Sequence, residues 1–205
     1  MTITYLIIII TAFVSYGASQ RQDLLQKLIM HPYTVYHSKQ YYRLLTSGFI
    51  HNGLIHFVFN MLALYFFGPY IESIFKELYP SYGWFLFIIF YLSALAVSDL
   101  TTFNKQKNNP QYFSLGASGA VSSIVFSWIM FFPTETIYVY FIPMPGFILG
   151  VLYLVYSYYQ SKNPNTHINH DAHLWGAVYG ILFTIVLYPA VIPRFIQQLS
   201  GFKIF

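Results

Sequence analysis

Six apolar runs take up most of this chain, and each is so poor in charge that water is the wrong solvent for it. They cover residues 2–16, 54–71, 82–97, 118–132, 147–159 and 171–191. Of the 205 residues, 57% are hydrophobic and only 8% charged, where a soluble domain carries about 25% charged residues. A helix needs roughly 20 apolar residues to cross the hydrocarbon core. Lipid offers no hydrogen bonds to an open backbone, so helices are the predicted elements. The expectation is an all-α polytopic membrane protein: one bundle of six transmembrane helices over residues 1–205, with no soluble domain.

The first run lacks the basic start of a secretion signal, because its first positive charge is Arg21, beyond the apolar stretch. It is expected to remain as a spanning helix. The chain has no cysteine, which removes disulfides, thiolate catalysis and thiolate metal ligation together. The net charge is +4, but the Lys and Arg residues are scattered singly. That pattern fits contact with anionic lipid and gives no stripe for nucleic acid.

Polar residues inside apolar helices are costly and usually face the bundle interior. Three places have them. HNGLIHFVFN, residues 51–60, enters the second run and puts His56 and Asn60 four apart, on one helix face. GASGA, residues 116–120, flanks Ser118 with Gly116 and Gly119. Read alone, its small residues suit close helix packing as well as chemistry. Its position after a polar loop puts Ser118 at a helix amino terminus, where unpaired N–H groups and the dipole favour developing negative charge. In HINHDAHLWGAVYG, residues 167–180, His173 lies three residues from Gly176, and Gly176 with Gly180 makes a G-x-x-x-G packing face. The second, fourth and sixth runs point the same way, so His56, Ser118 and His173 all fall near one membrane face.

Taken together, these residues resemble the rhomboid intramembrane serine proteases of the compact six-helix bacterial type. The resemblance rests on G-A-S-G around Ser118, on H-x-x-x-x-H-x-x-x-N with His51, His56 and Asn60, and on A-H-x-x-G-x-x-x-G with His173, Gly176 and Gly180. Tyr42-Arg43 and Gly68-x-x-x-Glu72 resemble further family features. It implies a serine endopeptidase in which Ser118 is the nucleophile and His173 the general base. His56, Asn60 and the Ser118 N–H would hold the oxyanion. Arg43, His51, Glu72, Gly116, Gly119, Gly176 and Gly180 would give structural support. No cofactor and no metal are implied; the partners are transmembrane protein substrates and the lipid bilayer.

The sequence agrees that no acid completes a triad: Asp171 lies about 200° around a helix from His173. It departs from the family at Ser122, where relatives often carry an aromatic residue on which the histidine ring stacks. Trp175 or a loop tyrosine is left to support that ring. Substrate access is expected beside the fifth run and the loop 160–169.

Two rival readings differ in chemistry. One is a rhomboid-like protein that binds membrane helices without cutting them. The other is a metal site gathered from His51, His56, His167, His170 and His173, against which stands the lack of H-E-x-x-H, of cysteine and of any nearby carboxylate but Asp171. The resemblance also implies a bacterial cell membrane, with the amino terminus in the cytoplasm and the site toward the outside. The positive-inside rule disagrees. In that orientation Arg21, Lys27, Lys39, Arg43, Lys105, Lys107 and Lys162 face outward, and only Lys76, Arg194 and Lys203 face inward.

Overall fold

The computed structural model describes residues 2–139, 141–163, 166 and 168–203. Its long helices follow the apolar runs: α1 (Ile3–Gln20), α5 (Leu54–Leu78), α6 (Gly83–Ser98), α8 (Ser118–Phe131), α9 (Gly146–Gln160) and α10 (His170–Leu187). The shorter α7 (Leu100–Gln106) continues α6 past Asp99. Four spans among the described residues are long and apolar enough to cross a membrane: Ile3–Gln20, Leu54–Leu78, Gly83–Gln106 and His170–Leu187. α8 falls short of that length; at 1.5 Å per residue its 14 residues reach about 21 Å.

Three features differ from the expectation. The last run does not reach residue 191: α10 stops at Leu187, before Pro189, and the separate α11 (Val191–Gly201) follows. The connection between α8 and α9 is an antiparallel hairpin of β1 (Thr136–Val139) and β2 (Ile142–Pro145), paired from Thr136↔Pro145 to Val139↔Ile142. The polar segment after α1 is ordered as α2 (Gln22–Leu28), α3 (Pro32–Ser38), α4 (Arg43–Thr46) and a 3-10 turn, Ser47–Phe49.

Burial departs from that of a soluble protein, because large apolar side chains cover the outside as well as the core formed by Phe75, Phe87, Phe90 and Tyr91. Phe13, Leu54, Ile55 and Val186 are 74–81% exposed, as side chains bathed in lipid should be. Thr11, Ser123, Ser127, Ser157 and Thr184 are wholly buried. α8 is the central post, with ten buried residues among its fourteen, and α5, α6, α9, α10 and α11 pack around it.

Contact between α8 and α10 is close because small residues recur every four positions on both. A methyl at Gly176 would come 2.2 Å from the Gly119 carbonyl oxygen, and one at Gly180 would come 2.2 Å from that of Ser123. Ser123 Oγ donates to the Gly176 carbonyl at 2.7 Å, and Thr184 and Ser127 join hydroxyls at 2.7 Å. Backbones meet here, giving dispersion and hydrogen bonds where lipid supplies no hydrophobic drive.

The other end of α5 is tied to α1. The buried Glu72 carboxylate accepts from the N–H groups of Ile3 and Thr4 and from the Thr4 hydroxyl, each at 2.9 Å. It satisfies the orphan donors of the α1 amino terminus and meets their positive dipole end. Gly68 leaves room for Thr4, whose Cγ2 would lie 2.6 Å from a methyl placed there.

Candidate functional site

Three helix starts meet at one end of the bundle, and a short irregular segment holds them together. Residues 114–117, leading into α8, are pinned on both sides. Ser114 and Met30 exchange backbone hydrogen bonds of 3.0 and 3.1 Å, Gly116 donates to the Ser47 carbonyl at 2.9 Å, and Ala117 N–H donates to His51 Nε2 at 3.3 Å. His51 is therefore an acceptor at Nε2 and carries its proton on Nδ1. Burial, and then the neighbouring His56, pull its pKa down to about 4. The first-loop helices are clamped by the buried Arg43, which donates to the carbonyls of Gln26 (2.6 Å) and Ile29 (2.9 Å) and to the Gln40 side chain (2.7 Å).

Gly116 has φ of +119°, which a side chain tolerates poorly, and it also lies under the His56 ring. A methyl there would fall 2.5 Å from His56 Cε1 and 2.8 Å from Nε2. The His56 imidazole thus stands two residues from Ser118. Asn60, one turn further along α5, is buried and donates Nδ2 to the His56 carbonyl at 2.8 Å. One of its two amide hydrogens is thereby engaged, and Asn60 shares a helix face with His56.

Ser118 is the first residue of α8, and no side chain caps that helix. The N–H groups of its first turn therefore take no side-chain cap. Ser118 is half-buried, as are His56 and His173. His173 arrives from α10 because Gly119, next to Ser118, abuts both Gly176 and the Ala172 carbonyl; a methyl at Gly119 would come 3.4 Å from that oxygen. Ser118 and His173 thus sit on either side of a backbone contact. Among the described residues no hydrogen bond joins Ser118 Oγ to His173.

The start of α10 is fixed by a residue the sequence reading passed over. Asn169 caps the helix, its Oδ1 accepting from Ala172 N–H at 3.1 Å and from the Thr102 hydroxyl at 2.8 Å, while its Nδ2 donates to Asp99 Oδ1 at 3.0 Å. An Asn immediately before an apolar run is an N-cap signal, so this position was readable. Asp171 turns away from His173: both its oxygens accept from Lys105 Nζ at 2.8 Å.

The ring packed on His173 is neither Trp175 nor a loop tyrosine. It is Tyr153 of α9, 6.2 Å away between centroids and 19° from parallel. His170 meets His173 edge-on at 5.5 Å. Among the described residues no three His, Asp or Glu side chains are grouped as metal ligands; His167 of the rival metal reading lies outside the described residues.

The chain matches the Rhomboid domain across residues 38–190. It is also similar to "RHOMBOID-like protein 12, mitochondrial" of Arabidopsis thaliana, 33% identical over 152 residues, which are 68% of this chain and 44% of that relative. The chain thus covers less than half of the relative's length. Matched over most of its length and built as a bundle of apolar helices, this multi-pass membrane protein belongs to the rhomboid family.

Proposed function

We propose that this protein is an intramembrane serine endopeptidase that cuts transmembrane segments near one membrane face through Ser118 and His173. The observation that carries the reading is the meeting of His56, Ser118 and His173 at the starts of three helices, with Gly116 and Gly119 as the contact points. His173 takes the proton of Ser118 Oγ as that oxygen attacks the scissile carbonyl. His56, Asn60 and the Ser118 N–H receive the tetrahedral oxyanion, each donor contributing about 3 to 4 kcal/mol of transition-state stabilisation. His173 then protonates the leaving amine, and water hydrolyses the acyl-enzyme.

The substrate class follows from lipid. A spanning helix hides its carbonyls in internal hydrogen bonds and must unwind before attack, which favours Gly, Pro or small polar residues near the membrane edge. Access is proposed beside α9 and the loop 160–169, of which residues 164, 165 and 167 lie outside the described residues. All six apolar helices, including the short α8 and α9, are taken to span or enter the bilayer. The membrane is proposed to be a bacterial cell membrane with the amino terminus cytoplasmic, although the name of the Arabidopsis relative puts that protein in mitochondria.

The test is cleavage of a single-span model substrate by purified protein in liposomes. Parent protein is expected to cut and Ser118→Ala and His173→Ala to lose cleavage; equal cleavage by either variant removes the dyad. A second reading, a family member that holds helices without cutting them, is favoured by the unlinked Ser118 and His173. Covalent labelling of Ser118 by a fluorophosphonate decides against it, and absence of labelling decides for it.

A further inference from the structure

His173 has a problem of orientation. Neither ring nitrogen hydrogen-bonds another group among the described residues, and Asp171, the nearby carboxylate, is occupied by Lys105. An imidazole that must pass a proton to and from a fixed oxygen needs its ring plane held, because a misplacement of about 1 Å can cost 100-fold in rate. Packing has to do here what a carboxylate does in a triad.

Tyr153 has the geometry for that task. Its near-parallel ring lies within the 4.5–7 Å range of offset stacking. Its phenolic oxygen is pinned to Ser122 Oγ on α8 at 2.5 Å, and Phe126 of α8 packs on it at 5.5 Å. Gly146, Gly150, Tyr153 and Ser157 share one face of α9, at helical spacing, and the two glycines seat that face against Phe126 and Ile129 of α8. The small side chain at Ser122, one turn beyond Ser118, leaves the space that the Tyr153 ring fills. A tyrosine from α9 thus reaches across α8 to the histidine of α10.

We propose that Tyr153 is the positioning residue of His173, with Ser122 as its anchor, so that the reactive arrangement depends on α9 being seated against α8. This rests on the reading of Ser118 and His173 as a dyad. It makes α9 more than a wall of the bundle: displacing α9 withdraws the ring that orients the base.

The experiment compares full-length parent, Tyr153→Phe, Tyr153→Leu and the double variant Ser122→Phe/Tyr153→Leu in liposomes. It measures kcat and KM for a single-span substrate, the rate of fluorophosphonate labelling at Ser118, and Tm. Tyr153→Phe keeps the ring and is expected to lose no more than about fivefold in kcat. Tyr153→Leu is expected to lose about tenfold to 100-fold in kcat and labelling rate, with KM and Tm near parental values. The double variant, which offers a ring from α8 itself, is expected to recover most of that loss. Parental kcat in Tyr153→Leu overturns the proposal while leaving the dyad intact. A kcat loss in Tyr153→Leu that is matched by a fall in Tm and not reversed by Ser122→Phe also overturns it, since that is the mark of a structural role. Parent protein that neither labels nor cuts overturns the dyad, and this proposal with it.

Discussion

His51 accepts from the Ala117 N–H and has its own backbone N–H donated to Ser15 Oγ of α1, with the rings of His56 and Phe57 against it. Only the neutral imidazole can accept at Nε2, and burial holds its pKa near 4. An unfolded histidine titrates near 6.5. As pH falls from 6.5 to 4 the unfolded chain takes up the proton first, so this contribution to stability is whole above 6.5 and is lost toward 4, by about 3 kcal/mol in total. Thermal unfolding in detergent is expected to show Tm dropping across that window, with a shallower slope in His51→Gln; equal slopes would remove His51 as the cause. Residues of this kind were readable because a histidine, asparagine or serine inside an apolar run has to be explained. Tyr153 was not, since one tyrosine among 20 carries no such signal and its partner Ser122 lies on a different helix.

The register between α8 and α10 decides whether His173 faces Ser118 at all. Gly176 and Gly180 meet the backbone of Gly119 and Ser123, and Thr184 meets Ser127, one pairing per turn. Gly180→Ala puts a methyl 2.2 Å from a carbonyl oxygen, so the helices must separate, at a cost of about 1 to 3 kcal/mol. The expected result is a lower Tm together with slower labelling of Ser118, whereas Val186→Ala, on the lipid-facing side of the same helix, changes neither. Unchanged Tm in Gly180→Ala would mean that α10 is seated by other contacts. The G-x-x-x-G half of this interface was legible from spacing. The α8 half was hidden because Ser123 and Ser127 become packing residues only once a partner backbone is known. The hairpin escaped for another reason: Pro143 and Pro145 within β2 argue against a strand. Their side of the strand needs no further partner in a two-stranded sheet.

At the scale of the whole molecule the orientation implied by the family resemblance and the charge count pull in opposite directions, and the structure shows how many of the counted charges are engaged within the fold. The positive-inside rule counts Lys and Arg in short loops near the membrane ends. Arg43 is buried among carbonyl oxygens, Arg21 is paired with Asp23 at 2.7 Å, and Lys105 is paired with Asp171 at 2.8 Å. Three of the seven residues that argue for an inverted molecule are therefore spent on folding or neutralised. On the other side Lys76 is likewise paired with Glu72, which leaves Arg194 and Lys203 there. That α11 end has its own use for charge, with the Arg194 guanidinium 5.2 Å over the Tyr188 ring. The remaining four against two points the same way as seven against three. The proposed orientation therefore rests on the family resemblance, with the site opening to water on the side where the starts of α5, α8 and α10 converge. With the six crossings proposed, both chain ends share a side. A reporter active only in the cytoplasm, fused after Phe205, is expected to be active, and one active only outside is expected to be silent. The opposite pair of results would turn the molecule over and put the Ser118 end, with any cleavage it performs, on the cytoplasmic face.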